Sequence, residues 1–290
     1  MALRMIVSLL LLGLCMDVQA GNKVIYGDDA RQDLYEVSDN LYLDLAKSTA
    51  GMVSKRSLLF TPNSDKVKLR SRTLSQRGIC SDDKFANQQT APSCTGFLVA
   101  PDVLVTAGHC VRTEWDCNSQ SWVFGYAHTE NNSGEKIEVT KNDVYNCKQI
   151  IDRKLDRETQ MDYAVIRLDR EVVGREPLKL RTEGKVEVGD PLTVIGHPTG
   201  LPTKVADGAY VRANHSPVFF QANTDSFQGN SGSPVFNSET GVVEGILVRG
   251  EDDYVYNKEK GCREPKKCEM GACRGEDVTR ITIINSLKNL

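Results

Sequence analysis

Three short motifs contain the side chains that acyl transfer requires, which are an imidazole, a carboxylate and a hydroxyl. His109 follows Thr-Ala-Gly, Asp162 opens an apolar run, and Ser231 lies within Gly-Asn-Ser-Gly-Ser-Pro. A serine hydroxyl is a weak nucleophile at neutral pH, so a neutral imidazole must take its proton as it attacks. A buried carboxylate must hold that imidazole in the correct tautomer and stabilise its cation. The three motifs together therefore favour nucleophilic catalysis by serine.

Each of these residues alone also fits an ordinary structural role. A histidine after Ala-Gly is often a turn residue, an aspartate before an apolar strand is usually a cap, and Gly-Asn-Ser-Gly-Ser-Pro can be a tight turn. The glycines beside Ser231 have a further meaning in acyl transfer. They let the backbone turn tightly, so that the N–H groups of Gly229 and Ser231 converge on a developing oxyanion. At the start of a strand, Asp162 would be held rigidly, as an orienting group must be.

Short strands must position these residues. From about residue 78, turn signals such as Pro-Asp, Asn-Ser-Gly and Pro-Thr-Gly separate short runs of strand-forming residues. Apolar residues recur at helical spacing near the end, over 278–290. This pattern predicts an all-β fold, either barrels or a sandwich, with one short C-terminal helix. The predicted strands are 96–100, 103–106, 121–124, 136–140, 163–168, 192–196, 209–212, 218–222, 234–236 and 242–248.

The N-terminal region divides into two parts. Residues 1–20 are typical of an export signal, because Arg4 precedes an apolar run over 6–14 and Val-Gln-Ala offers a cleavage site. That run is too short to span a bilayer. Residues 21–77 contain no cysteine and many charges, and 39–50 predicts a short helix. This second part is either a leader or pro-segment, or a long arm packed on the main domain, and the sequence leaves both open.

The three motifs, in this order, resemble those of the trypsin/chymotrypsin-like serine peptidases, and the bacterial branch that includes the glutamyl endopeptidases is the most similar in pattern. Thr-Ala-Gly-His-Cys, Met-Asp-Tyr-Ala-Val-Ile-Arg-Leu and Gly-Asn-Ser-Gly-Ser-Pro carry the resemblance, which covers 78–290. It implies His109 as the general base, Asp162 as the orienting carboxylate and Ser231 as the nucleophile. It also implies a peptidase domain of two six-stranded antiparallel β-barrels, about 78–175 and 176–290, with the site in the cleft between them.

One departure from the family pattern concerns activation. Trypsin-like members have an aspartate before the nucleophile, and a freed N-terminal ammonium pairs with it to build the oxyanion hole. Asn230 occupies that position here and has no charge to pair with. The bacterial branch also has asparagine at this position. Removal of residues 21–77 would therefore act through another contact, or would not be needed.

The resemblance also implies a specificity pocket. Asp225 and Ser226 occupy the positions of the pocket base, where an aspartate selects Arg or Lys in trypsin-like members. Glutamate-specific relatives have a histidine on the facing strand, and Leu247 takes its place. Arg249, near the pocket mouth, could neutralise Asp225 or attract an acidic side chain. We therefore predict cleavage after Arg or Lys and leave the other specificities open. His128, His197 and His215 have no matching context, and we expect them in surface positions or loops.

Cysteine usage predicts disulfides. Eight cysteines follow the export signal, and an even number in an exported chain is typical of a disulfide framework. A zinc site is disfavoured, because the C-terminal cysteines lack both tight pair spacing and a neighbouring histidine. The resemblance implies a bridge between Cys94 and Cys110. Full pairing of the others then requires at least one bridge between the tail and the first barrel region. The remaining cysteines are Cys80, Cys117 and Cys147 on the N-terminal side and Cys262, Cys268 and Cys273 in the tail.

Composition limits the other function classes. The formal net charge is −3, with neither a basic surplus nor an acidic block, so nothing points to nucleic acid or to a membrane surface. The resemblance predicts a secreted or periplasmic serine endopeptidase that is a monomer, acts on polypeptides and needs neither cofactor nor metal. The alternative is a non-catalytic binding module or adhesin on the same fold. The presence of all three catalytic groups argues against that alternative.

Overall fold

The computed structural model describes residues 24–132 and 134–289. The predicted export signal, residues 1–20, lies outside the described residues. Two closed six-stranded antiparallel β-barrels form the body of the fold, as predicted. Among the described residues, no helix is both long and apolar enough to cross a membrane.

The strands of the first barrel, in chain order, are β1 Thr49–Ser54, β2 Cys94–Ala100, β3 Val103–Thr106, β4 Gln120–Phe124, β5 Val144–Leu155 and β6 Asp162–Leu168. The barrel closes in the order β4-β5-β6-β3-β2-β1, with β1 pairing back to β4.

The strands of the second barrel are β7 Pro191–Gly196, β8 Lys204–Ala213, β9 Phe219–Ala222, β10 Pro234–Asn237, β11 Val243–Arg249 and β12 Glu276–Arg280. The barrel closes in the order β7-β10-β11-β12-β9-β8, with β8 pairing back to β7.

Small elements surround the barrels. Residues 24–132 and 134–289 contain two α-helices, α1 Asn40–Lys47 and α2 Glu114–Ser119. Short strands outside the barrels are Ile25–Tyr26, Arg31–Asp33, Leu58–Phe60, Lys66–Leu69, Arg72–Thr73, Gln89–Thr90, Glu138–Thr140, Tyr254–Asn257, Cys262–Pro265 and Lys267–Cys268. The 3₁₀ segments are Leu34–Glu36, Lys55–Ser57, Ser75–Arg77, Lys141–Asp143, Pro198–Gly200, Ile281–Ile283 and Asn285–Asn289.

The apolar core explains why the two barrels meet. Strand β3 reads Val-Leu-Val-Thr and is buried on both faces. One hydrophobic cluster joins its Leu104 and Val105 to Ile195, Phe236 and Ile246 of the second barrel. Burial of apolar surface stabilises the folded state by about 25 cal/mol per Å². The cluster therefore holds the barrels together and fixes the cleft between them.

The N-terminal boundary of the peptidase domain was predicted too late in the chain. Strand β1, residues 49–54, is one of the six strands of the first barrel and pairs with both β2 and β4. The strand 31–33 extends the second barrel by pairing with β8. Residues 24–77 are therefore part of the folded body and not a separable leader up to residue 77. Helix α1 matches the helix predicted over 39–50, but it ends at Lys47 because Thr49 begins β1.

The C-terminal region also differs from its predicted bounds. Residues 278–280 belong to strand β12, and the short terminal helix is a pair of 3₁₀ segments that begins at Ile281. Strand β12 reads Glu-Asp-Val-Thr-Arg, so its single apolar residue, Val278, fell into register with the apolar residues of the 3₁₀ segments and gave an apparent helical spacing. The strand 138–140 was predicted as part of the main fold but pairs outside the barrels.

Four disulfides connect all eight cysteines of the described region. Cys94 is bonded to Cys110, as the family resemblance implies. The predicted link from the tail to the N-terminal side joins Cys80 to Cys262. The remaining bridges are Cys117–Cys147 and Cys268–Cys273. Disulfides persist in oxidising environments, so the four bridges point to a location outside the cytoplasm.

Candidate active site

His109 and Asp162 are joined by two hydrogen bonds. The Nδ1 atom of His109 lies 2.8 Å from Oδ2 of Asp162, and the backbone N–H of His109 donates to Oδ1 at 3.0 Å. One carboxylate therefore fixes both the ring and the backbone of the histidine. With Nδ1–H donating to the carboxylate, Nε2 keeps a lone pair that can accept a proton.

The close approach of the histidine loop to the aspartate strand depends on Gly108. A Cβ at this position would lie 2.1 Å from the carbonyl oxygen of Lys154 and 2.7 Å from that of Tyr163. These two residues pair with each other in strands β5 and β6, next to Asp162. Any side chain at 108 would push the loop away from the sheet. The glycine of the Thr-Ala-Gly-His motif thus allows His109 to reach Asp162.

Asp162 is held in its ionised form. It is nearly buried, which by itself disfavours the charge. The hydrogen bonds from His109 and its electrostatic interaction with the carboxylate, with a smaller contribution from Arg249, outweigh that effect, so the pKa of Asp162 lies below its usual value. A charged carboxylate at this point can stabilise an imidazolium on its neighbour.

The nucleophile loop, residues 225–233, packs against the histidine loop. The carbonyl oxygen of Ser231 accepts the N–H of Thr95 at 2.8 Å. The sulfur of Cys110, the residue after His109, lies 3.6 Å from the same oxygen. The Cys94–Cys110 bridge therefore lies against the backbone of Ser231, and the serine and the histidine are on adjoining loops.

The backbone N–H groups of residues 229–233 in this loop divide into two sets. Those of Asn230, Gly232 and Ser233 donate to the carbonyl oxygens of Phe227, Leu247 and Asn230. Those of Gly229 and Ser231 donate to no acceptor in the described part of the chain.

Gly229 makes this conformation possible. Its φ is +100°, and a Cβ there would lie 2.4 Å from the carbonyl oxygen of His197. An L-residue with a side chain would be strained and would collide with that carbonyl. The N–H groups of Gly229 and Ser231, which donate to no acceptor among the described residues, are those predicted to hold an oxyanion.

The side chain of Asp225 is not in an open pocket but is hydrogen-bonded to backbone N–H groups. Its Oδ1 accepts the N–H of Tyr26 at 2.7 Å, and its Oδ2 accepts the N–H of Ala30 at 2.8 Å. Burial raises the pKa of Asp225 to about 6, despite these two hydrogen bonds. Both oxygens of the predicted pocket-base carboxylate are therefore used by the backbone of the N-terminal segment, which we define as residues 24–33.

The N-terminal segment supports the nucleophile loop at further points. The carbonyl oxygen of Val24 accepts the N–H of Ser226. The buried guanidinium of Arg31 lies 4.3 Å from the ring centroid of Phe227 and pairs with Asp29 at 2.6 Å. With Asn230 uncharged, contacts of this kind replace an ion pair as the support of the loop.

The other predicted pocket residues have separate structural roles. Leu247 packs in the hydrophobic interior of the second barrel, because its position on β11 faces inward, and this position gives its predicted substrate contact no support. Arg249 donates to Asp277 at 2.9 Å and to the carbonyl oxygen of Gln160 at 3.1 Å. It therefore connects β11 to the segment before Asp162 and does not neutralise Asp225. Ser226 is buried, and its hydroxyl donates to Glu276 at 3.0 Å.

Glu276 is the pocket-region residue that the sequence did not identify. Its Oε2 accepts from Ser226, and its Oε1 accepts the N–H of Glu251 at 3.2 Å. A Cβ on Gly250 would lie 1.9 Å from its carboxylate. The carboxylate is thus buried between the nucleophile loop and the end of β11. The sequence pattern predicted no element at residue 276 and a helix only from 278, and Glu-Asp-Val-Thr-Arg has no alternating pattern that would have placed Glu276 beside β11.

Two histidines expected in surface positions or loops are buried. His197 stacks on Tyr126, and its ring nitrogens lie 3.2 Å from the hydroxyls of Thr95 and Thr203. Burial and the nearby Lys204 charge lower the pKa of His197 to about 3. His128 is also buried, whereas His215 is exposed. His197 is therefore a neutral structural residue beneath Gly229.

Two groups of potential metal ligands occur among the described residues. One consists of Cys94, His109 and Cys110, and the other of Cys80, Asp82 and Glu264. Every cysteine in them is part of a disulfide and offers no thiolate. In addition, His109 uses its Nδ1 atom on Asp162. The donor chemistry of these groups does not suit a metal ion.

The comparisons with known proteins agree with this geometry. The family model described as trypsin-like peptidase domain matches residues 94–246. The chain is 28% identical over 184 residues to the extracellular metalloprotease of Bacillus subtilis (strain 168), covering 60% of this chain and 56% of that protein. It thus spans little more than half the length of this curated relative.

Solved structures show the same fold at low sequence identity. The VesB protease of Vibrio cholerae has a TM-score of 0.51 and 14% identity, covering 92% of this chain and 67% of the other. Human heparin binding protein has a TM-score of 0.52 and 12% identity, covering 90% of this chain and 95% of the other. The family match extends over more than half of the chain and contains all three motifs, so this protein belongs to the trypsin-like peptidase family.

Proposed function

We propose that this chain is a secreted endopeptidase that hydrolyses peptide bonds through an acyl-enzyme on Ser231. The observation that carries the proposal is the pair of hydrogen bonds between His109 and Asp162, beside a loop whose Gly229 and Ser231 N–H groups have no acceptor among the described residues. These are the orienting contact and the oxyanion donors that acyl transfer needs.

The reaction then proceeds in two steps, acylation of Ser231 and hydrolysis of the acyl-enzyme. In the first, the Ser231 hydroxyl proton moves to Nε2 of His109 as Oγ bonds to the substrate carbonyl carbon. The oxyanion is held by the two N–H groups, and the proton on Nε2 passes to the leaving amine as the C–N bond breaks. In the second, water gives its proton to the same nitrogen and attacks the ester. The proton on Nε2 then passes to Oγ of Ser231 as the ester C–O bond breaks, which restores the serine hydroxyl, and the peptide leaves as a carboxylic acid.

The test of this function is covalent labelling combined with substitution. A fluorophosphonate probe should label the purified protein at Ser231, and Ser231→Ala should abolish both labelling and peptide cleavage. Ser233→Ala is the matched control, because it removes a hydroxyl from the same loop and should keep both activities. A protein that is not labelled and cleaves no peptide would instead be the binding module or adhesin.

The name of the Bacillus subtilis relative raises metal-dependent proteolysis as a second candidate. The ligand groups described above argue against it, since their cysteines are disulfide-bonded. Treatment with a chelator separates the two. Activity that survives the chelator and is lost in Ser231→Ala supports the serine mechanism, whereas the reverse pattern would overturn it.

The preference for Arg or Lys before the scissile bond remains part of the proposal. Both oxygens of Asp225 accept from the N-terminal segment, and both oxygens of Glu276 accept from Ser226 and Glu251, so we assign the preference to neither carboxylate. Cleavage of a peptide library should show enrichment of Arg or Lys before the scissile bond, and a profile without that enrichment would overturn the preference.

Secretion is supported by the export-type residues 1–20 and by the four disulfides. The predicted removal of residues 21–77 has no support in the fold, because this part of the chain supplies strand β1. We therefore propose that the exported enzyme retains these residues, apart from the signal. Mass spectrometry of the protein in the growth medium or periplasm would give its first residue.

A further inference from the structure

A polar cavity of about 420 Å³ adjoins the nucleophile loop on one side. Gln228 and Gly229 form one wall, and three arginines, Arg70, Arg72 and Arg77, line it farther out. We call it the arginine cavity. Because Gly229 also carries one of the oxyanion donors proposed above, the cavity begins at the point where a scissile carbonyl would bind.

The arginines of this cavity have no acidic partners. No carboxylate in the described ranges forms an ion pair with Arg70, Arg72 or Arg77. Nearby cations behave differently, since Lys66 and Lys68 both pair with Glu138 at 2.9 and 3.2 Å. The lining of the cavity contains three guanidinium groups and no carboxylate, whereas Asp252 and Asp253 line the adjoining cavity beyond Arg77 and Gln228. The net charge of the chain, −3, supplies no general basic surplus. The concentration of positive charge is therefore a local feature of this cavity.

The backbone holds the three arginines in place. Arg72 lies on the short strand that pairs with Gln89–Thr90. The N–H of Arg70 donates to the carbonyl oxygen of Ser57 at 2.8 Å. Arg77 donates through Nη1 to the carbonyl oxygen of Thr199 at 2.7 Å, next to the wall formed by Gln228. Exposed arginines on fixed backbone can form bidentate hydrogen bonds with carboxylates.

The cavity lies on the leaving-group side of the proposed reaction. Its Pro92 and Ser93 directly precede Cys94, which is bonded to Cys110, the residue after His109. His109 gives its proton to the departing amine, so this side receives the residues that follow the scissile bond.

We propose that the arginine cavity binds acidic side chains of the substrate within the first few residues after the scissile bond. This proposal rests on the proposed function and adds to it a substrate class, peptides with Asp or Glu on the leaving side. Carboxylates fit the cavity because they match the guanidinium fork and neutralise its unpaired charge. The selection is separate from any preference for the residue before the bond.

The test uses two fluorogenic peptides with the same acyl-side sequence. One has Glu at the second and third positions after the bond, and the other has Gln there. The wild type should cleave the Glu peptide with a kcat/KM about tenfold higher at low salt, and the difference should shrink as salt rises. The double variant Arg70→Gln/Arg72→Gln should lose this preference while its kcat/KM for the Gln peptide stays within about twofold. Lys185→Gln, an exposed cation in the second barrel, is the charge-matched control and should keep the preference.

The outcomes separate this inference from the proposed function. Equal cleavage of both peptides by the wild type, or a preference unchanged in the double variant, would overturn the acidic subsite and leave the peptidase assignment intact. Failure to cleave either peptide, together with no fluorophosphonate labelling of Ser231, would overturn the peptidase assignment and the subsite with it.

Discussion

The Asp225 carboxylate accepts the backbone N–H of Tyr26 at 2.7 Å, so a residue at the predicted base of the specificity pocket instead anchors the N-terminal segment. Its second oxygen accepts from Ala30. The same loop continues to Ser231, and the N-terminal segment also contacts Ser226. The start of the folded chain therefore supports the loop that carries the nucleophile.

This contact predicts a particular pH dependence of stability. The folded-state pKa of Asp225 is raised to about 6 by burial, whereas an unfolded carboxyl titrates near 3.9. The folded protein thus binds this proton more tightly, and the stabilising effect of the protonated form is fully present below about pH 4. It is lost as pH rises through 6, by up to about 3 kcal/mol. Asp225→Asn removes the titration.

Urea unfolding from pH 4 to 7 measures the effect. The free energy of unfolding of the wild type should fall relative to that of Asp225→Asn between pH 4 and 6, and the difference should then become constant. A difference that does not change with pH would show that Asp225 is not buried against the N-terminal segment.

The orientation of His109 by Asp162 predicts a large effect of one substitution. Asp162→Asn should lower kcat/KM by about 10³- to 10⁴-fold, because the amide favours the wrong tautomer of the imidazole. Asp143→Asn is the matched control, since Asp143 pairs with Arg175 at 2.6 Å away from the site, and it should keep activity within about threefold. Steady-state kinetics with one peptide substrate measures kcat/KM in both variants. Equal losses in the two variants would refute the role of Asp162 in orienting His109.

The position of β1 in the first barrel predicts the result of truncation. A chain that begins at residue 78 lacks Thr49–Ser54, so β2 and β4 each lose one of their two pairing partners and the barrel cannot close. We expect this truncated chain to be unfolded by near-ultraviolet circular dichroism and unlabelled by a fluorophosphonate, whereas residues 21–290 should be folded and labelled. Labelling of the truncated chain at Ser231 would restore the interpretation of residues 21–77 as a removable leader.

The disulfides predict a ranking of stability losses. Cys80 and Cys262 are separated by 182 residues, and Cys268 and Cys273 by five. In the chain-entropy model the long link restricts the unfolded state more, by about 5 kcal/mol against about 2 kcal/mol. Replacing Cys80 and Cys262 with alanine should therefore lower the urea midpoint more than replacing the short pair. The opposite ranking would mean that strain or residual structure outweighs chain entropy.

Local sequence was sufficient for the catalytic motifs and for most barrel strands. His109, Asp162 and Ser231 each lie in a short motif whose residue types indicate its chemistry. The structure places His109 and Asp162 in hydrogen-bond contact. Strands such as Val103–Thr106 were predicted because turn residues bound them on both sides. The need for a link between the tail and the N-terminal side followed from cysteine arithmetic alone, and the structure provides it as Cys80–Cys262.

Tertiary structure decided the roles that depend on distant neighbours. The types of Asp225 and Leu247 fitted a pocket, yet Asp225 binds backbone 199 residues away in sequence and Leu247 faces the barrel interior. Strands β1, β5 and β12 were missed because their partners, and not their own residues, make them strands. The arginine cavity likewise exists only where the fold brings residues 70–77 beside Gly229. A motif specifies the chemistry of its own side chains, whereas burial, pairing and charge environment are set by whichever parts of the chain pack against it.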